Sequence, residues 1–110
     1  MGVHAVARLG GEEFAGVLTG VTSAEALDKI NMLRQQLASR VFSFGDEEVR
    51  VTFSAGLSQS DGVTSYSTLL NHADKALYLA KTSGRNRVVH SDELGTILPA
   101  NEGFRTRRAI

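Results

Sequence analysis

The sequence predicts an α+β fold, in which two helices pack on one face of a mostly antiparallel sheet. Three observations lead to this prediction. A run that starts at Val49 alternates apolar and polar residues, as a half-buried strand does. Two stretches, after Thr22 and after Ser65, repeat apolar residues every three or four positions, as amphipathic helices do. The pair Gly10-Gly11 separates two short apolar runs, which is typical of a β-hairpin.

Length and composition fit one globular domain. A chain of 110 residues with 42% apolar and 22% charged residues can bury a single core. The 12 basic and 12 acidic residues cancel, so we expect neither a nucleic acid partner nor direct membrane contact. The absence of cysteine excludes disulfides and thiolate metal sites, and it suits the cytoplasm, where we expect the protein to lie. No apolar run approaches the roughly 20 residues of a membrane span.

The first predicted element is the hairpin between His4 and Leu18. Its flanking residues are apolar at consecutive positions rather than at alternate ones. Strands of that kind are covered on both faces, so we expect the hairpin to be buried within a sheet.

A helix is predicted from Thr22 to about Ser39. Thr22 and Glu25 have the spacing of a capping box, which satisfies open backbone N–H groups at a helix start. The spacing of the apolar residues then places one stripe on the buried side, formed by Ala26, Ile30, Leu33 and Leu37.

The next two predicted strands form a second hairpin. Val41 to Phe44 pairs through a turn at Gly45-Asp46 with a strand that alternates from Val49 to Ser58.

A second helix is predicted with Ser65 or Ser67 as its cap and Gly84 just past its end. Its inward residues are predicted to be Leu69, Leu70, Ala73, Ala76, Leu77 and Ala80. A short closing strand follows at Arg87 to Val89. His72 is interpreted as a surface or packing residue and His90 as a structural residue, rather than as ligands. Tyr66 and Tyr78 are expected to pack.

No periodic pattern follows His90. We therefore expect a domain over residues 1–90 and a linker or C-terminal tail over residues 91–110. The cations at the chain end, Arg105, Arg107 and Arg108, could instead begin the helix of a following domain.

The turn Gly10-Gly11-Glu12-Glu13 is the first candidate for chemistry. Two glycines let a ligand approach the backbone, and carboxylates are hard oxygen donors suited to Mg²⁺. A glycine turn followed by acids is also commonly a solvated hairpin, so the spacing alone leaves both interpretations open.

The second candidate is the segment from Lys81 to Arg87, where a cation on the last helical turn precedes a glycine and two arginines. Such residues could hold phosphate. They could equally serve only the helix dipole, as basic residues near a helix C-terminus often do.

Together with the strand between them, these motifs resemble the GGDEF family of diguanylate cyclases. The resemblance runs from about Val6 to Val89. Three stretches carry it: Ala7 to Phe14, Val51 to Gly56, and Ala73 to Lys81 followed by Gly84-Arg85-Asn86-Arg87. It implies a ferredoxin-like palm, similar to that of adenylyl cyclases, in which two facing subunits join two GTP molecules into cyclic di-GMP and release pyrophosphate.

The resemblance also implies roles for individual residues. Glu12 corresponds to a metal ligand for Mg²⁺ or Mn²⁺ and to the base for the 3′-hydroxyl, with Glu13 supporting it as a second catalytic residue. Gly10 and Gly11 would lie against the nucleotide. Lys81 and Arg85 match the cations that hold the terminal phosphates.

The family's domain begins with further strands and helices, which carry a metal-binding aspartate and the residues that read guanine. Because these N-terminal elements have no counterpart here, we expect the chain alone to be inactive and to form a homodimer through its exposed sheet. The parent protein could carry fused sensor or phosphodiesterase domains. The alternative is a degenerate, non-catalytic module that binds GTP or cyclic di-GMP or only mediates dimerisation.

Overall fold

A computed structural model describes the backbone of residues 2–94 and the side chains of residues 6–94. The tail predicted for residues 91–110, with its three arginines, lies outside the described residues from position 95 onward. The elements in chain order are β1 (Gly2–Gly10), β2 (Glu13–Thr19), α1 (Ser23–Ala38), β3 (Val41–Phe44), β4 (Glu47–Arg50), β5 (Ala55–Leu57), α2 (Tyr66–Thr82), β6 (Val88–His90) and a 3-10 turn at Ser91–Glu93.

The strands form three pairs. β1 pairs with β2 and β3 with β4, both antiparallel, whereas β5 pairs with β6 in parallel. The predicted α+β class with a mostly antiparallel arrangement is confirmed, but the described strands form three two-stranded sheets rather than the single sheet that was expected. The prediction of one continuous strand from Val49 to Ser58 is wrong, because β4 ends at Arg50 and β5 begins at Ala55. The chain changes partners between them, from β3 to β6.

The capping box at the start of α1 is confirmed. The Thr22 hydroxyl accepts a hydrogen bond from the Glu25 backbone N–H, and the Glu25 carboxylate accepts one from the Thr22 N–H, each at 3.1 Å. These bonds hold the pKa of Glu25 below its ordinary value of 4.5. The predicted apolar stripe is only partly buried, since Ala26 is 7% exposed but Leu33 is 52% exposed.

The core lies between α2, β5 and β6. Ala76, Leu77 and Ala80 of α2 are buried, as predicted, and Ala76 and Ala80 form a cluster with Val89 of β6. Ala55 of β5 is also buried. Ser65 is the cap, and its hydroxyl accepts a hydrogen bond from the Thr68 N–H at 3.3 Å.

Gly56 lets β5 approach α2 closely. A Cβ at this position would lie 2.1 Å from the Ala73 carbonyl oxygen and 2.3 Å from the Leu77 backbone nitrogen. Only glycine therefore fits between the strand and the helix.

His90 joins β6 to the start of α1. It is 8% exposed, its Nε2 contacts the Ser23 hydroxyl, and its Nδ1 accepts a hydrogen bond from the Asp92 N–H at 3.0 Å. These contacts agree with its interpretation as a structural residue. Tyr66, by contrast, is 75% exposed, so the expectation that it packs is wrong.

The β1–β2 hairpin is less buried than predicted. Its register pairs Val6 with Gly16 and Gly10 with Glu13, but Val6 is 66% exposed and Ala7 and Arg8 are also exposed. The expectation of cover on both faces is therefore wrong for β1, because the core of the described residues forms around α2 instead. Within residues 2–94, no helix is long and apolar enough to cross a membrane.

Candidate functional site at the hairpin turn and the end of α2

The turn between β1 and β2 requires glycine for its backbone shape. Gly10 and Gly11 have φ angles of +147° and +53°, and a Cβ on either residue would meet no protein atom within 4 Å. Backbone conformation, rather than crowding within the chain, accordingly selects glycine here. The Arg8 guanidinium fixes the turn by donating to the Gly11 carbonyl oxygen from Nε at 2.9 Å and from Nη2 at 2.7 Å. No pattern around Arg8 in the sequence indicates this role.

Glu13 connects the turn to the end of α2. Its Oε1 lies 3.4 Å from Lys81 Nζ, and the side chains of Glu13 and Lys81 are only 24% and 18% exposed. This contact brings together the two predicted motifs, which are 68 residues apart in sequence. Glu12 precedes Glu13 in the turn and is exposed to solvent. The ion pair therefore holds the partly shielded Lys81 cation against the turn that carries Glu12.

Beyond Lys81, the chain leaves α2 through a sharply curved segment. Gly84, Arg85 and Asn86 have φ angles of +126°, +62° and +48°. The Arg85 N–H donates to the Ala80 carbonyl oxygen at 2.9 Å, which closes the last turn of the helix. Arg85 is therefore held by its backbone while its side chain is exposed at the helix end.

A contact from α1 reaches the same segment. Arg34 Nη1 donates to the backbone oxygen of Asn86 at 3.1 Å and to its side-chain oxygen at 2.9 Å. The Asn86 N–H in turn donates to the Ser54 hydroxyl at 3.0 Å. This network could not be predicted from the sequence, because the pattern places Arg34 on the polar side of α1, where solvated side chains are common.

Comparison with known proteins identifies the family of this chain. The family model described as diguanylate cyclase, GGDEF domain, matches residues 2–87. The chain belongs to the GGDEF domain family. The matched range includes the hairpin turn, the whole of α2 and the curved segment that follows it.

Curated relatives of this GGDEF chain are diguanylate cyclases. The chain is 40% identical over 84 residues to DgcP of Pseudomonas aeruginosa, with 76% of the chain and 12% of the relative covered. It is 34% identical over 86 residues to diguanylate cyclase A of Treponema denticola, with 77% and 23% covered. It is 36% identical over 84 residues to DosC of Escherichia coli K12, with 76% and 18% covered. The chain thus spans less than a quarter of the length of these relatives.

A solved structure has the same fold. The GGDEF domain of DgcB from Caulobacter crescentus, crystallised in complex with c-di-GMP, matches with a TM-score of 0.74 at 30% identity. The match covers 79% of this chain and 53% of that one.

The carboxylates of the hairpin turn are of the kind that can supply one ligand to a magnesium site. Among the described residues, no group of three or more His, Cys, Asp or Glu side chains could enclose a metal ion. Mg²⁺ usually binds through one or two carboxylates, several waters and substrate phosphates. Glu12 is an exposed carboxylate of the required kind, whereas Glu13 is already engaged with Lys81. Glu12 could therefore supply one ligand, with the substrate supplying others.

Proposed function

We propose that this chain forms part of the catalytic domain of a diguanylate cyclase, which joins two GTP molecules into cyclic di-GMP. The observation that carries the proposal is the contact between Glu13 and Lys81, because it joins the hairpin turn to the cationic end of α2. Membership of the GGDEF family and three diguanylate cyclase relatives support the same reaction.

In this reaction, the 3′-oxygen of one GTP forms a bond to the α-phosphorus of the other. The bond from that phosphorus to the oxygen bridging to the β-phosphate breaks, and pyrophosphate leaves. A second such step closes the ring. Glu12 would accept the proton of the 3′-hydroxyl and would ligate Mg²⁺ or Mn²⁺. The metal, when bound, neutralises phosphate charge and orients the reacting oxygens.

The cations at the end of α2 would bind the β- and γ-phosphates. Arg85 offers a planar fork and Lys81 a point charge. Because Lys81 is paired with Glu13 in the chain alone, a bound triphosphate would share this cation with the carboxylate. Glu13 would then keep Lys81 directed towards the turn. Gly10 and Gly11 would leave room for the nucleotide beside the turn.

The assembly and context of the enzyme are part of the proposal. Two subunits that face each other would each supply one GTP, so we propose a homodimer. The use of GTP as the substrate supports a cytoplasmic site of action. The chain covers only a small part of each relative's length, which supports fused domains in the complete protein, such as sensor or phosphodiesterase domains. We expect the 110-residue chain alone to form no cyclic di-GMP.

The substitution Glu12→Gln in the complete protein tests the catalytic role. The amide can neither accept the proton nor ligate the metal as a carboxylate does, so we expect synthesis of cyclic di-GMP to fall about 100-fold or more, while GTP binding is partly retained. Chromatography of the nucleotide products measures the rate.

Glu48→Gln, which changes another exposed carboxylate in β4, is the matched control and should leave synthesis unchanged. Unchanged synthesis by the Glu12→Gln protein would remove Glu12 from the mechanism. A complete wild-type protein that binds GTP but forms no product would favour the non-catalytic alternative.

A further inference from the structure

Arg85 and Asn86 are two consecutive non-glycine residues with left-handed backbone angles, at φ +62° and +48°. Side chains disfavour this region, because the Cβ approaches the following carbonyl oxygen. Such residues persist only where surrounding contacts hold them, and they often occur where a side chain must be presented in a particular direction. Arg85 is the cation that the proposed function assigns to the terminal phosphates.

Three hydrogen bonds from separate parts of the chain hold Asn86. Arg34 of α1 donates to both of its oxygens, at 3.1 and 2.9 Å, and Ser54 accepts from its N–H at 3.0 Å. Arg34 lies 52 positions before Asn86 and Ser54 lies 32 positions before it. The conformation of the turn is therefore set by tertiary contacts rather than by local sequence alone.

Arg34 is itself oriented on α1. Its Nε donates to the Asn31 side-chain oxygen at 2.8 Å, while Nη1 reaches Asn86. The rigid guanidinium thus bridges two residues at once. A lysine has one terminal nitrogen on a flexible stem and would have to reach both partners with it.

We infer that Arg34 is a positioning residue for phosphate binding, which acts by holding Asn86 and thereby fixing the direction of Arg85. This inference depends on the proposed function, since it concerns the same phosphate site. Arg34 contacts no substrate in this account. It affects phosphate binding through the left-handed backbone conformation of Arg85 and Asn86.

The test uses the 110-residue chain and inorganic triphosphate with Mg²⁺ as the probe. Calorimetry gives the dissociation constant, and the NMR coupling between the amide and α protons reports the backbone angles of Arg85 and Asn86. The variants are Arg34→Ala, Arg34→Lys, Asn86→Ala and Arg85→Ala. Arg40→Ala is the matched control, because it also removes one positive charge. Arg40 packs over the Phe42 ring rather than against Asn86.

We expect Arg34→Ala to weaken binding about fivefold to tenfold, as the loss of one or two hydrogen bonds to a binding element would. The couplings of Arg85 and Asn86 should change in the same variant. Arg34→Lys should resemble Arg34→Ala despite keeping the charge, and Arg40→Ala should bind like the wild type. Combining Arg34→Ala with Asn86→Ala should weaken binding by less than the sum of the two single changes, because both remove the bond between the Arg34 guanidinium and the Asn86 side-chain oxygen.

Several results would overturn the inference. These are wild-type binding by Arg34→Ala, unchanged couplings at residues 85 and 86 in that variant, wild-type binding by Arg34→Lys, or additive effects of the two substitutions. If Arg85→Ala weakens binding but Arg34→Ala does not, the inference fails while the proposed function stands. If Arg85→Ala leaves binding unchanged, or if the wild-type chain does not bind the probe, the proposed phosphate site itself is wrong and the inference falls with it.

Discussion

At the scale of single residues, glycines have two different functions in this chain. Gly10 and Gly11 are required by positive φ angles in an open turn, where a Cβ would touch nothing. Gly56 is required by contact, because α2 leaves no space for a Cβ above β5. The first requirement could be predicted from a glycine pair between two apolar runs. The second could not, because the sequence does not show which helix residue will lie against the strand.

Gly56→Ala should lower the free energy of unfolding by about 3 kcal/mol. The new methyl group would overlap backbone atoms of Ala73 and Leu77, which cannot rotate away as a side chain can. Urea unfolding followed by circular dichroism measures the loss. Gly45→Ala is the control, since Gly45 has φ +61° and open space around it, and we expect a loss of about 1 kcal/mol there. Equal losses for the two variants would contradict the close approach of β5 to α2.

At the scale of secondary structure, local signals predicted the helices well and the strands less well. Thr22 and Ser65 each mark a helix start through their own side-chain hydrogen bonds, so a few neighbouring residues were sufficient. The break between β4 and β5 could not be read from the alternating pattern, because it depends on a change of partner from β3 to β6. The Arg34 network was missed for the same reason, since its members are distant in sequence.

Thr22→Ala should destabilise the protein by about 1 kcal/mol, the usual cost of losing a helix cap. It should also raise the pKa of Glu25 towards 4.5, because the hydrogen bond from the Thr22 side chain helps to lower it. The contribution of Glu25 to stability is present above pH 4.5 and is lost as the pH falls through its lowered pKa. The variant should lose less stability than the wild type over that pH range. Urea unfolding and an NMR titration of Glu25 measure the two effects. Unchanged stability of the Thr22→Ala variant would contradict the capping role of the Thr22 hydroxyl.

At the scale of the whole molecule, apolar side chains remain exposed on the β3–β4 hairpin. Phe42 pairs with Val49 and Phe44 with Glu47, which places Phe44 and Val49 on one face, where they are 66% and 37% exposed. Exposed apolar groups that lie together favour contact with another protein surface. This face therefore supports the expectation that the chain associates with a second copy.

Phe44→Ser should weaken that association about tenfold, as the loss of a large apolar contact at an interface would. Sedimentation velocity at micromolar concentrations measures the distribution of monomer and dimer. Val63→Ser is the control, because Val63 is 90% exposed in the loop before α2 and belongs to neither strand of the hairpin. Sedimentation of the wild-type chain as a monomer would contradict the expected dimer, and an unchanged dimer in the Phe44→Ser variant would exclude this face.

The central claim is that the glycine turn and the end of α2 form one site for a metal and a triphosphate. The most direct test adds Mn²⁺ and inorganic triphosphate to the ¹⁵N-labelled chain, because Mn²⁺ broadens NMR signals of nearby amides. We expect the strongest broadening at Gly11, Glu12 and Glu13, together with broadening from Lys81 to Arg85, and recovery when the metal is chelated. Broadening centred on another acidic region, such as the Asp61 loop, with the turn and the helix end unaffected, would contradict the claim.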